Sequence, residues 1–193
     1  MKFKAIFLTA ALAVAGSHAA GANEFEPALR DFADKQIRVW IADAKVVDAI
    51  KAQNQETGGL SEDKIVSLDK QWRAETSADS RPLIDSVMQR GISDFLRARK
   101  EEAQGVVTEI FVMDAKGLNV GQSDVTSDYW QGDEAKWKDT FLKGADAIHL
   151  GEVEQDESTQ TFQSQISLSV VDPASGAVIG AVTVGVDVEA LAQ

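Results

Sequence analysis

The chain has 193 residues, 44% of them hydrophobic and 26% charged, a balance that supports a buried core and excludes a disordered tail or a small disulfide-stapled scaffold. Its 31 acidic residues against 19 basic ones leave a net charge of −12, which argues against nucleic acid as a partner, because that binding relies on Lys and Arg at phosphates. There is no cysteine, so disulfides, thiol nucleophiles, thiolate metal sites and a lipid-modified cysteine are all excluded.

Lys2 and Lys4 precede an apolar run from Ala5 to Ala15, and small residues follow at Gly16, Ser17, Ala19 and Ala20. This is the order of a secretory signal peptide, and the run is shorter than the roughly 20 residues a bilayer requires. Cleavage fits after Ala19 or after Ala22, and Ala22 is favoured. The expected division is a signal peptide over 1–22, a helical region over 23–104 and a core of strands over 105–193. No later stretch is apolar enough to cross a bilayer, so an exported, periplasmic protein without stable membrane insertion is expected.

From Phe25 to about Gln55 the apolar positions Leu29, Phe32, Ala33, Ile37, Trp40, Ile41, Ala44, Val47 and Ile50 recur at threes and fours. That spacing predicts one long helix of about 30 residues, about 45 Å, with a single buried stripe and with Trp40 and Ile41 partly exposed. Gly58-Gly59 ends it. Ser61 then reads as an N-cap for a second helix carrying Ile65, Leu68 and Trp72. Pro82 opens a third helix, whose stripe runs from Leu83 through Val87 and Ile92 to Leu96, with Arg97, Arg99 and Lys100 near its C-terminal end.

The period changes after Gly105. Val106 to Met113 reads as a buried strand, Asp114-Ala-Lys-Gly117 as a type I turn and Leu118 to Ser123 as the return strand. A polar loop leads to a helix over Glu134 to Lys143, and Ile148, Leu150 and Val153 suggest a third strand. The last hairpin alternates clearly. Pairing Val171 with Ala177 sets Leu168 opposite Gly180, Gln165 opposite Thr183 and Phe162 opposite Val186, with an apolar face on one side and a small polar face on the other. The order predicts an α+β fold: five antiparallel strands packed against helices.

His149 is the only histidine after the leader, and the sequence contains no Gly-x-Ser-x-Gly, phosphate-binding glycine loop or His-Glu-x-x-His. Asp124, Thr126 and Asp128 share the spacing of a calcium loop, but Tyr129 stands where that loop needs glycine and Ala135 where it needs a bidentate acid. Glu152, Glu154, Asp156 and Glu157 form a second acidic cluster that reads as a hydrated loop. No metal or cofactor is expected.

The segment from Asp124 to Trp137 concentrates the only tyrosine and two of the four tryptophans between a strand and a helix. It reads either as a cap that closes the core or as a ligand pocket. In the second reading Tyr129 and Trp130 form walls, Asp133 or Lys136 pairs with a charged group, and Thr183 and Asp187 face the ligand from the hairpin.

Residues 107–191 resemble a Cache domain, an extracellular PAS-like sensor module of bacterial chemoreceptors and sensor kinases. The resemblance rests on Phe-Val-Met-Asp-Ala-Lys-Gly-Leu-Asn-Val over 111–120, on the Ser-Asp-Tyr-Trp loop and on the closing strand Gly-Ala-Val-Ile-Gly-Ala-Val-Thr-Val-Gly-Val-Asp-Val over 176–188. It implies a long N-terminal helix before a PAS-like sheet, and a small metabolite held by Tyr129, Trp130 and Asp187. Amino-acid-binding members carry an arginine just before the aromatic pair, where this chain has Ser127 and Asp128. The resulting expectation is a free-standing periplasmic binder, not an enzyme, that presents its ligand to a membrane-bound receptor or kinase. The competing readings are an assembly protein that dimerises through the N-terminal helix and, ranked last, a secreted hydrolase.

Overall fold

A computed structural model describes residues 24–155 and 161–193. The expected leader, together with Asp156 and Glu157, lies outside the described residues.

The apolar spacing of the N-terminal region does produce helix, but not one rod. Helix α1 (Glu26–Phe32) runs through a π-helical turn (Ala33–Ile37) into α2 (Arg38–Ile41), and the chain then turns before α3 (Ala44–Thr57). The break falls at Asp43, which takes an extended backbone conformation and accepts a hydrogen bond from the Lys45 N–H at 2.8 Å, the geometry of an N-cap. The long helix expected from periodicity is therefore two, because the apolar stripe continues across a break that one aspartate creates. Ile41 is buried, and the exposed apolar residue of this stretch is Val39.

Helix α4 (Glu62–Glu75) begins at Ser61 as expected. The expected third helix is also divided, into α5 (Pro82–Met88) and α6 (Gly91–Glu102), since Arg90 is extended and starts a new first turn at Gly91. Glu75 holds the entry to α5 by accepting from the Leu83 and Ile84 N–H groups at 2.8 and 3.0 Å. Pro82 at the first helical position has no N–H to leave unpaired there.

The strands are β1 (Val107–Met113), β2 (Asn119–Gln122), β3 (Ile148–Leu150), β4 (Glu154–Gln155), β5 (Phe162–Val171) and β6 (Val178–Asp187). Two short helices accompany them, α7 (Ala135–Lys138) and α8 (Val188–Leu191). Helix α7 covers less than the span expected from 134 to 143, and the chain turns from Asp139 onward. The sheet order is β2-β1-β6-β5-β3, with β4 also on β5. All its pairs are antiparallel. Counting the five longer strands, the order is second, first, fifth, fourth, third: a PAS-like α+β fold.

Ile110, Val112, Ile166, Leu168, Val182 and Val184 pack one sheet face onto Leu29, Ile37, Ile50 and Leu96 of the helices. The other face is the polar one expected from the alternation, and its apolar part, Phe111, Met113 and Ala181, is covered by Trp137 and Phe141.

The hairpin keeps the expected faces but not the expected register. Leu168 lies opposite Val182, Gln165 opposite Gly185 and Ser167 opposite Thr183, two residues from the pairing drawn from a regular turn. Val171 pairs with Val178 rather than Ala177, and a bulge between Val170 and Val171 moves the ladder by one more. Two single shifts restore parity, so each side chain stays on its face. Phe162 then passes the end of the apolar face and is exposed, with Ser164 in the place opposite Val186.

Candidate functional site

Helix α4 grips the aromatic loop. The Asp69 carboxylate accepts from the Tyr129 and Trp130 N–H groups at 3.0 and 3.1 Å, and Arg73 bridges Asp69 and Asp128 at 2.7 and 2.6 Å. The Trp72 indole donates to the Thr126 carbonyl at 2.8 Å and stacks on Tyr129, ring centroids 5.3 Å apart. Trp130 donates its indole N–H to the Lys116 carbonyl at 2.8 Å. Tyr129 and Trp130 belong to the cluster of Ile65, Trp72, Ile84, Val87 and Leu118, and burial raises the Tyr129 hydroxyl pKa.

The other candidates lie elsewhere. Thr183 is fully buried in β6 and shares a hydrogen bond with Ser167 at 2.9 Å. Asp187 caps α8, accepting from the Glu189 and Ala190 N–H groups at 3.0 and 2.9 Å. Asp133 is exposed. The structure therefore does not gather Tyr129, Trp130, Asp133, Thr183 and Asp187 around one space.

Lys136 does border a space: an open cleft of about 680 Å³ over the outer part of the polar face. Its floor is Gln163, Ser164 and Gln165 of β5 with Glu109 of β1, one side is Glu134 and Lys136, and the other is the strand at Gly151, Glu152, Glu154 and Gln155. The local sequence explains each position. Glu109 alternates with Ile110 and so points away from the helices, and it fits there because its partner Gly185 has no side chain: a Cβ at Gly185 would lie 2.8 Å from the Glu109 Cγ. Gln163 and Gln165 alternate with Ser164 and Ile166 on β5. Lys136 follows the extended Glu134 at the start of α7.

Four carboxylates line this cleft against one ammonium, which makes it anionic. The ammonium is already engaged: Lys136 pairs with Glu134 at 2.9 Å and lies 5.5 Å from the centre of the Phe111 ring. Glu109 accepts from the Gln165 amide at 2.8 Å, and burial nevertheless raises its pKa above the ordinary carboxylate value, against the lowering effects of that hydrogen bond and of Lys136. A largely buried carboxylate with one amide donor has acceptor capacity to spare, which an ammonium or hydroxyl can use. Among the described residues no cluster of side chains could hold a metal ion.

Of this lining, sequence reasoning named only Lys136 as a ligand contact, and it assigned Glu152 and Glu154 to a hydrated acidic loop. The signal for Glu109 was present as the one charge inside the apolar run 106–113, and the signal for Gln163 and Gln165 was the polar alternation of β5.

No protein-family model matches the chain, and no curated protein does. Among solved structures it is similar to the sensor domain of the V. cholerae histidine kinase DctB, at 14% identity and a TM-score of 0.38, over 86% of this chain and 58% of that one. The sensory domain of the Campylobacter jejuni chemoreceptor Tlp3 matches at 14% identity and a TM-score of 0.40, over 86% of this chain and 63% of that one. The ligand-binding domain of the Pseudomonas aeruginosa PAO1 amino acid chemoreceptor PctC, in complex with GABA, matches at 14% identity and a TM-score of 0.36, over 82% and 63%. The chain spans about three fifths of the length of these domains. The PAS-like fold expected of a Cache-type module is the one the chain adopts.

Proposed function

We propose that this protein is an exported sensor module that binds one small metabolite in the cleft over the polar sheet face, without turnover, and presents the bound state to a membrane-bound receptor or kinase. The ligand carries an ammonium or hydroxyl group. Glu109 and Gln165 contact it from the floor, Lys136 and Glu134 from the side, and Glu152 and Glu154 from the opposite wall. Tyr129, Trp130 and Asp187 serve this site indirectly, by fixing the loop that leads into α7 and the end of β6. The observation that carries the reading is Glu109, a largely buried carboxylate with one amide donor, on a cleft whose size falls within the range of small-molecule sites, about 300–1,000 Å³.

The test is a thermal-shift screen of amines, amino acids, polyols and carboxylates, followed by calorimetry on Glu109→Gln with the best hit. A ligand that binds only the folded state raises Tm by mass action. Amines or polyols should raise Tm, and Glu109→Gln should weaken the hit by tenfold or more with the fold intact. Carboxylates as the sole hits, or an unchanged affinity in Glu109→Gln, would refute the assignment.

A further inference from the structure

The charges of the cleft narrow its ligand to one class, on the reading that the cleft is the binding site. Lys136 and Glu134 pair with each other and cancel. Glu109, Glu152 and Glu154 remain, and among the described residues none of them has a cation as a salt-bridge partner. Glu109 gives one oxygen to the Gln165 amide and leaves the other open to the cleft, while Glu152 and Glu154 are exposed and accept no hydrogen bond. The excess that a ligand meets is therefore that of three carboxylates after every pair has been discounted.

These carboxylates are spread across the sheet. Glu109 stands on β1, and its side chain passes Gly185 of β6 to reach Gln165 of β5. Glu154 lies on β4 at the far edge, with Glu152 just before it. From β6 to β4 is two interstrand steps, about 10 Å. Consistent with that spread, no three carboxylates among the described residues converge closely enough to hold one metal ion. Between the two ends the floor is low, because Gly151 stands beside Gln165, its N–H donating to the Gln165 carbonyl at 2.8 Å, and brings no side chain. No apolar side chain of the described residues lines the cleft, so it offers no wall to an aromatic or long hydrocarbon body. A single ammonium on Glu109 leaves the edge carboxylates without a counter-charge, whereas two ammonium groups on a short flexible chain reach both ends.

We propose that the ligand of this cleft is a linear aliphatic diamine or longer oligoamine, with one ammonium on the open oxygen of Glu109 and a second at Glu152 and Glu154. This goes beyond the assignment of the cleft, which requires only one ammonium or hydroxyl. No covalent step is involved.

Calorimetry on the purified protein at low ionic strength, with diaminopentane, aminopentanol and pentylamine, tests the second contact, since the three share one carbon chain and differ only at its ends. Diaminopentane should bind one per chain and about fivefold or more tighter than either of the others, and the advantage should shrink as salt is added, because two of the carboxylates are exposed. In the double variant Glu152→Gln, Glu154→Gln, diaminopentane should bind no tighter than aminopentanol, with thermal melts showing that the fold is retained. Equal affinity of diaminopentane and aminopentanol in the parent, or an advantage of diaminopentane that survives in the double variant, would overturn the proposal, and the cleft assignment would still stand if Glu109→Gln weakened both. Binding of none of the three would overturn it as well, with the polyols of the thermal-shift screen deciding the cleft.

Discussion

Asp114 is the fully buried carboxylate that fastens α3 to the turn between β1 and β2, and its replacement should be among the most damaging single changes outside the hydrophobic core. One oxygen accepts from the Lys116 and Leu118 N–H groups at 2.8 and 2.9 Å, the other from the Gln53 amide and the Thr57 hydroxyl at 3.0 and 2.7 Å. In Asp114→Ala the side-chain donors keep weaker partners: Gln53 still reaches the Leu118 and Asn119 carbonyls at 3.3 Å, and Thr57 reaches the Gln53 carbonyl at 2.9 Å. The Leu118 N–H is stranded in the core, at about 1–3 kcal/mol, and loss of the charged acceptor for the others adds about 1–2, for a total of about 2–5 kcal/mol. Asp114→Asn keeps one acceptor oxygen and turns its amide toward Gln53 and Thr57. The Thr57 hydroxyl can rotate to accept, so about 1–2 kcal/mol is expected. Urea unfolding followed by circular dichroism at pH 7 measures both. An alanine variant within 1 kcal/mol of the parent, or an asparagine variant as unstable as the alanine one, would refute this hydrogen-bond assignment.

Gly180 follows the bulge in β6, and a Cβ there would lie 2.2 Å from the Met113 carbonyl oxygen, so Gly180→Ala should cost about 2–4 kcal/mol, while Gly59→Ala, with open space around it, should be close to neutral by thermal melt. Leu168→Asp buries an unpaired charge and should cost several kcal/mol, whereas Gln165→Asp, at the cleft floor, should cost much less; equal losses would mean that the two faces of the hairpin are equally closed. Burial acts to raise the Glu75 pKa, but the Gln71 amide and the Ile84 and Leu83 N–H groups outweigh it and hold the carboxyl below its ordinary value of 4.5. Its contribution is thus present above that value and lost as pH falls through the depressed one. Glu75→Gln should therefore destabilise at pH 7, with the deficit shrinking in acid, as read from paired urea titrations at several pH values.

The faces of the sheet were legible in the sequence because a period of two is a local property: Ile166, Leu168 and Val170 separate from Gln165, Ser167 and Ser169 whatever the register. The register was not, because the bulge at Gly180 depends on the approach of Met113, which lies some 70 residues away in sequence. Likewise the stripe from Leu29 to Ile50 showed that this region packs against the sheet, while the break at Asp43 rests on one side-chain hydrogen bond that periodicity cannot register. The aromatic loop carried a real signal, but it was one of tertiary anchoring, since Asp69 and Trp72 of a helix some 60 residues earlier take up the Tyr129 and Trp130 N–H groups and the Thr126 carbonyl. The cleft was half visible. Its polar floor followed from alternation, whereas its walls at 134–136 and 151–155 meet only through folding.

Calorimetric titration of the best amine or polyol hit into the parent and into Glu109→Gln, across pH, tests the central claim most directly. Because burial raises the Glu109 pKa and an ammonium or hydroxyl binds its charged form, affinity in the parent should fall with acidification, beginning above the ordinary carboxylate range. Glu109→Gln should bind at least tenfold more weakly at neutral pH and show no such dependence. Equal affinity and the same pH profile in both proteins would place the ligand outside this cleft.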